Sequence, residues 1–290
     1  MAPLSVARRR GLRRLAVLLL ALALAVGGIY TAVYFVQRSE TLVSERCTAS
    51  AGNRTGELAP DQAANAALIT AVAVRRGLPA RAATIAIATA MQESKLRNIG
   101  HGDQAGPDSR GLFQQRPSQG WGTEAQIMDP YYAVNAFYDA LVKIPGYETL
   151  DITDAAQQVQ RSAHPEAYAQ HEDMGRAFAS GLTGQTPEGV RCTLRSATAA
   201  GDAAAVAGEL EQAYGGVDST ADGATLVVQA DGPMAWSIAQ WAVANAKDLS
   251  VTRVDVAGRA WQRSGGNGWQ DATTADRQVR ITVRQNDAGS

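Results

Sequence analysis

Of the 28 acidic side chains in this 290-residue chain, Glu93 stands in the setting best suited to proton transfer. It closes the run from Ala80 to Leu96, whose TIAIATAM segment is apolar on nearly every face and so predicts a helix buried in a core. Near the C-terminal end of such a helix, desolvation and the negative helix pole both disfavour an ionised carboxyl. A carboxyl kept protonated near neutral pH can protonate the leaving oxygen of a sugar–sugar bond. By itself Gln92-Glu93-Ser94 describes an exposed, fraying last turn equally well. The loop that follows, GDQAGPDSRGLFQQRPSQGWG over 102–122, changes the weighting. In it Gln114 and Gln115 can hydrogen-bond hydroxyl or acetamido groups, and Trp121 offers a flat apolar face to a pyranose ring. Asp103 and Asp108 are the candidates there for a second carboxylate, although beside Gly102 and Pro107 they read equally as turn residues.

Positioning these groups requires helices. Pro60 opens a helix over Gln62–Arg76 that Gly77 and Pro79 terminate, Asp129-Pro130 caps YYAVNAFYDALVK, and Thr153-Asp154 opens another helix at AAQQVQRSA. The segment bracketed by Cys47 and Cys192 is therefore expected to be a mainly α domain. After Cys192 the pattern changes, with a small-residue linker at 193–202 followed by a small α/β module over 203–290. Its expected elements are a helix at 203–214, a strand at Ala224–Gln229, a helix at Pro233–Lys247, and strands at Val251–Val256, Arg259–Arg263 and Gln278–Arg284. Ser264 to Gly268 supplies hairpin turn chemistry between Trp261 and Trp269, and Trp236 and Trp241 are expected in the core.

The N-terminus bears on compartment. Leu15–Val36 is an uncharged run of 22 residues, a length that spans a bilayer as helix and exceeds the apolar core of a cleaved signal peptide. Five arginines precede it within 1–14 (Arg8, Arg9, Arg10, Arg13, Arg14), which predicts a cytoplasmic basic tail, a transmembrane helix at 15–36, and main domains outside a cell membrane crossed once. In an oxidising space Cys47 and Cys192 are expected to be joined. His101, His164 and His171 are separated and without neighbouring cysteine, so no metal site is expected. A formal net charge of −1, with the arginines gathered at one end, excludes a polybasic nucleic-acid binder.

Glu93-Ser94, then Gly111-Leu112-Phe113-Gln114, then the aromatic helix Tyr131–Ala140 resemble the ordered motifs of the lysozyme-like (SLT-type) lytic transglycosylase family, whose usual forms are E-S, G-L-M-Q and A-G-x-x-Y-L. The longer run QESKLRN, GLFQQRPSQGWG and DPYYAVNAFYDAL is similar to membrane-anchored lysozyme-like proteins of high-GC Gram-positive bacteria. The match covers about 47–192. The helix has Ala133-Val134 where the family has Ala-Gly, and QVQRSAHPEAYA stands where the family has a catalytic-site tyrosine followed by asparagine, with Val159-Gln160 as a replacement for that pair.

The resemblance implies a mainly α lysozyme-like domain that cleaves peptidoglycan glycan strands between N-acetylmuramic acid and N-acetylglucosamine. Glu93 would act as acid and then base, Ser94, Gln114, Gln115, Trp121 and Tyr138 would bind substrate, and no cofactor would be needed. The sugar's own 6-hydroxyl can attack the anomeric carbon, so a second carboxylate is dispensable; attack by water would need one. The competing expectations are a non-catalytic peptidoglycan-binding scaffold that uses 203–290 to hold a partner, and an export or division component that opens the wall locally.

Overall fold

The computed structural model describes residues 18–31, 43–104, 106–160, 165–264 and 268–286. The chain divides into two compact units, Met1–Val43 and Ser44–Ser290. In the first unit the described structure is a helix, α1, at 18–31. This corrects the expectation of an N-terminal transmembrane helix at 15–36: no helix among the described residues is long and apolar enough to cross a membrane. The described part of α1, at 1.5 Å per residue, covers roughly 21 Å against a hydrocarbon core of about 30 Å. The single-pass cell-membrane location, and membrane contact through 15–36, therefore lack the element they rested on. Positions 15–17 and 32–36, and the basic tail at 1–14, lie outside the described residues.

The second unit also departs from a mainly α domain followed by an α/β module, since it contains two antiparallel sheets. The expected helical domain begins with a hairpin, β1 (Arg46–Ala51) and β2 (Arg54–Leu58), and ends with β3 (Val190–Thr193), in the order β2-β1-β3. These strands are four to six residues long and β3 arrives from across the domain, so their alternation is too short to be distinguished locally. Cys47 pairs with Cys192 in the β1–β3 register, and the two form the disulfide. The bridge staples the first and last strands of the helical region.

Between those strands run α2 (Pro60–Arg75), α3 (Ala80–Ser94), α4 (Glu124–Met128), α5 (Pro130–Leu141), α6 (Ile152–Gln160) and α7 (Glu172–Leu182). α3 is the central helix: Ala82 through Ala90 are all buried, because alanines alternating with Ile85 and Ile87 let neighbouring helices approach closely on every side. Asp129 caps α5 as its sequence predicts, its carboxylate accepting from the Tyr131 and Tyr132 N–H groups.

The remaining elements are α8 (Ala203–Tyr214), α9 (Gly232–Ala244) and a six-stranded antiparallel sheet of β4 (Ser219–Asp222), β5 (Thr225–Gln229), β6 (Val251–Val256), β7 (Arg259–Gln262), β8 (Trp269–Asp271) and β9 (Gln278–Val283), ordered β4-β5-β9-β6-β7-β8. Trp261 and Trp269 face each other in the β7–β8 register. Both ends of the 44–290 unit share one core. α9 lies between the sheet and the helical region, with Gln240 Oε1 accepting from the Val190 N–H at 2.5 Å and its Nε2 donating to Gly181 O at 2.7 Å. Gly184 has φ +76°, and a Cβ there would lie 1.8 Å from the Pro233 carbonyl oxygen, so only glycine lets the turn after α7 touch the start of α9.

Candidate functional site

The position of Glu93 follows from how α3 ends. Lys95 and Leu96 both take positive φ, 57° and 54°, which L side chains adopt at a cost. The turn is held from α2, where Gln62 Nε2 donates to Lys95 O at 2.9 Å and Asn65 Nδ2 donates to Leu96 O at 2.8 Å. The chain is thereby turned away directly after Ser94. Glu93 is left in the last turn of a buried helix, with its side chain half-buried.

Its carboxylate meets neutral donors. The Tyr168 hydroxyl donates to Glu93 Oε1 at 2.7 Å, and the Gln160 side chain also hydrogen-bonds the carboxyl. Burial pushes the Glu93 carboxyl above its ordinary value, and the Tyr168 and Gln160 hydrogen bonds only partly oppose it. Tyr168 is fully buried, on a 3-10 turn at Pro165–His171. Gln160, the last residue of α6, also donates from Nε2 to Phe113 O at 2.8 Å, which ties the glycine- and amide-rich loop to the acid.

That loop is held at several points. Ser94 Oγ donates to Leu112 O at 2.7 Å, Gln115 Nε2 to Ala133 O at 3.1 Å, and Asn98 Nδ2 to Met128 O at 2.8 Å. Phe113 stacks on Phe137 with ring centroids 4.4 Å apart. Gly111 has φ +78°, and a Cβ there would lie 2.7 Å from Ile127 O, so the glycine of the Gly-Leu-Phe-Gln motif is demanded by backbone approach. Beside the loop a cleft of about 610 Å³ is lined by Trp121 together with Ile144, Gln158, Val159 and Gln160. Gln160 thus joins the aromatic face to the acid.

The expected site residues separate into two groups. Glu93, Gln114 and Trp121 retain accessible surface. Ser94 and Gln115 are buried and anchor the loop, and Tyr138 is fully buried with its hydroxyl donating to Ile69 O at 3.0 Å. Those three hold the site's frame rather than face a substrate. Tyr168 was missed from sequence. Its signal was the one tyrosine in QVQRSAHPEAYA, eight residues beyond Gln160, which no local periodicity connects with Glu93.

The loop aspartates are both committed locally. Asp103 accepts from the Gly106 N–H at 2.8 Å. Asp108 is held well below the usual carboxylate range by hydrogen bonds from Ser118, with Arg116 Nε a further donor at 2.8 Å. No group of three or more His, Cys, Asp or Glu side chains is arranged to hold a metal ion among the described residues. The chain matches no protein-family model, and no curated protein matches it.

Proposed function

We propose that this protein cleaves the glycan strands of peptidoglycan, with Glu93 as the single catalytic carboxyl. The observation that carries the reading is a half-buried glutamate, raised in pKa and bonded by neutral donors, one of which, Gln160, also lines a cleft faced by a tryptophan and further glutamines. The protonated carboxyl of Glu93 gives its proton to the glycosidic oxygen as the bond from that oxygen to the anomeric carbon breaks. The 6-hydroxyl of the muramoyl residue then attacks the anomeric carbon and returns its proton to the Glu93 carboxylate, leaving a 1,6-anhydro sugar and a regenerated acid. Tyr168 and Gln160 stabilise the carboxylate formed midway, so the acid gives up its proton at a smaller cost than burial alone would set. The local engagement of Asp103 and Asp108 favours this one-carboxylate route over attack by water.

A second reading, a wall-binding protein that does not cleave, is favoured by QVQRSAHPEAYA standing where the family resembled has its tyrosine–asparagine pair. Incubating the full chain with purified sacculi and weighing the released muropeptides separates the two. Anhydro-ended products are expected. Reducing ends carrying water's oxygen would replace the intramolecular attack by hydrolysis, and sacculus binding without any release would leave the wall-binding reading.

A further inference from the structure

The cleft lined by Gln160, the partner of Glu93, contains one feature that the cleavage chemistry does not use. Lys143 lies just beyond the C-terminal end of α5 and lines the cleft together with Trp121, Gln158 and Gln160. It is exposed, and Asp139, one turn before it on α5, is paired with Arg76 at 2.7 Å. Among the described residues no carboxylate forms an ion pair with Lys143. The rest of the lining is neutral, being aromatic, aliphatic or amide. An ammonium left without a counterion at the edge of an otherwise uncharged, sugar-sized cleft is arranged for an anion that the ligand brings.

We propose that Lys143 is a specificity residue that takes a carboxylate carried by the glycan strand, so that the cleft prefers anionic strands to neutral ones of the same sugar backbone. The inference rests on the glycan-cleaving reading above and names the strand chemistry it would select. Two sources can supply the carboxylate: the peptide stem, or the lactyl group of a muramic acid from which the stem has been removed. A helix-end role, in which the ammonium only answers the α5 carbonyls, predicts a small stability effect and no selectivity among ligands.

Equilibrium binding tests this without requiring turnover, using the full chain carrying Glu93→Gln so that strands are not consumed. The probes are soluble stem-bearing strands, the same strands after an amidase has removed the stems, and neutral chitin oligosaccharides of equal length. Adding Lys143→Gln is expected to weaken binding of the stem-bearing strands by about tenfold, as for loss of one charge-assisted hydrogen bond. Chitin binding should be unchanged, and Lys143→Arg should keep the preference. Loss confined to stem-bearing strands assigns the stem carboxylate, loss confined to the stem-free strands assigns the lactyl carboxylate that the amidase exposes, and equal loss on both means that Lys143 takes either one. Raised salt should weaken the preference in the Lys143 protein alone. Equal loss on all three probes, or no loss on any, overturns the proposal and leaves the glycan reading standing. If the chain with Lys143 intact binds none of the probes, both fall.

Discussion

Two regions of this molecule bury polar side chains and treat them differently. Along the seam under α9 the buried groups are matched: Gln240 uses its oxygen on Val190 and its nitrogen on Gly181 and Thr186, and Ser237 bonds both Leu182 O and the Tyr214 hydroxyl. The indole N–H groups of Trp261 and Trp269 donate to Cys192 O and Val190 O. Around Glu93 the matching stops short. The carboxyl is raised in pKa, and the buried Asn98 Oδ1 and Gln115 Oε1 find no partner among the described residues. A fully matched seam is built to hold. A half-buried acid kept from easy ionisation, whose partner Gln160 lines an open cleft, is the arrangement on which the proposed cleavage rests.

That contrast can be broken from either side, and the largest expected stability losses lie on the holding side. Cys192→Ser opens a closure of 145 residues and should cost about 2–5 kcal/mol, read as a lower melting temperature with turnover per folded molecule preserved. Gln240→Ala leaves the Val190 N–H and two carbonyls buried without partners and should cost about 3 kcal/mol, again without altering turnover. A fall in turnover at constant folded fraction would show the seam to be coupled to the site. Ser94→Ala should cost only about 1–2 kcal/mol but, by freeing Leu112 from α3, lower turnover about tenfold.

Smaller effects appear in pH dependence. Because the Glu93 pKa is raised in the folded state, the protonated acid is favoured there, and its contribution to stability is complete below the ordinary glutamate value of 4.5 and lost as pH rises through the raised value. Glu93→Gln should flatten that slope in melting curves taken from acid to neutral pH. Tyr168→Phe removes a hydrogen bond that favours the charged form, so the Glu93 pKa should rise further and the alkaline limb of the pH–rate profile should move up. A limb moving down would mean that Tyr168 stabilises the protonated carboxyl.

What the sequence made legible follows contact range. α3 and the cap of α5 were readable because apolar spacing and capping residues act within a few positions, and Glu93 was readable because it closes such a pattern. The β7–β8 pairing of Trp261 with Trp269 is as expected, while positions 265–267 of the expected turn lie outside the described residues. The β2-β1-β3 sheet was not readable, since β3 is only four residues long and pairs with a strand about 140 residues earlier. Tyr168 was hidden for the same reason, reaching Glu93 across 75 residues. The roles of Ser94, Gln115 and Tyr138 were misplaced because residue type announces hydrogen-bonding capacity but not which partner, backbone or ligand, uses it. For the N-terminal run the expected span fails on one finding, that no helix among the described residues is long and apolar enough to cross a membrane.

The most direct test sets wild type beside Glu93→Gln in one assay, with release of anhydro-ended muropeptides from purified sacculi measured together with sacculus binding. Glutamine keeps the shape and hydrogen-bonding size of the side chain but cannot deliver the proton. Binding should persist while release falls by about 10²–10⁴-fold, the usual contribution of a positioned general acid. Equal release by the two proteins would contradict the account and remove Glu93 from the chemistry.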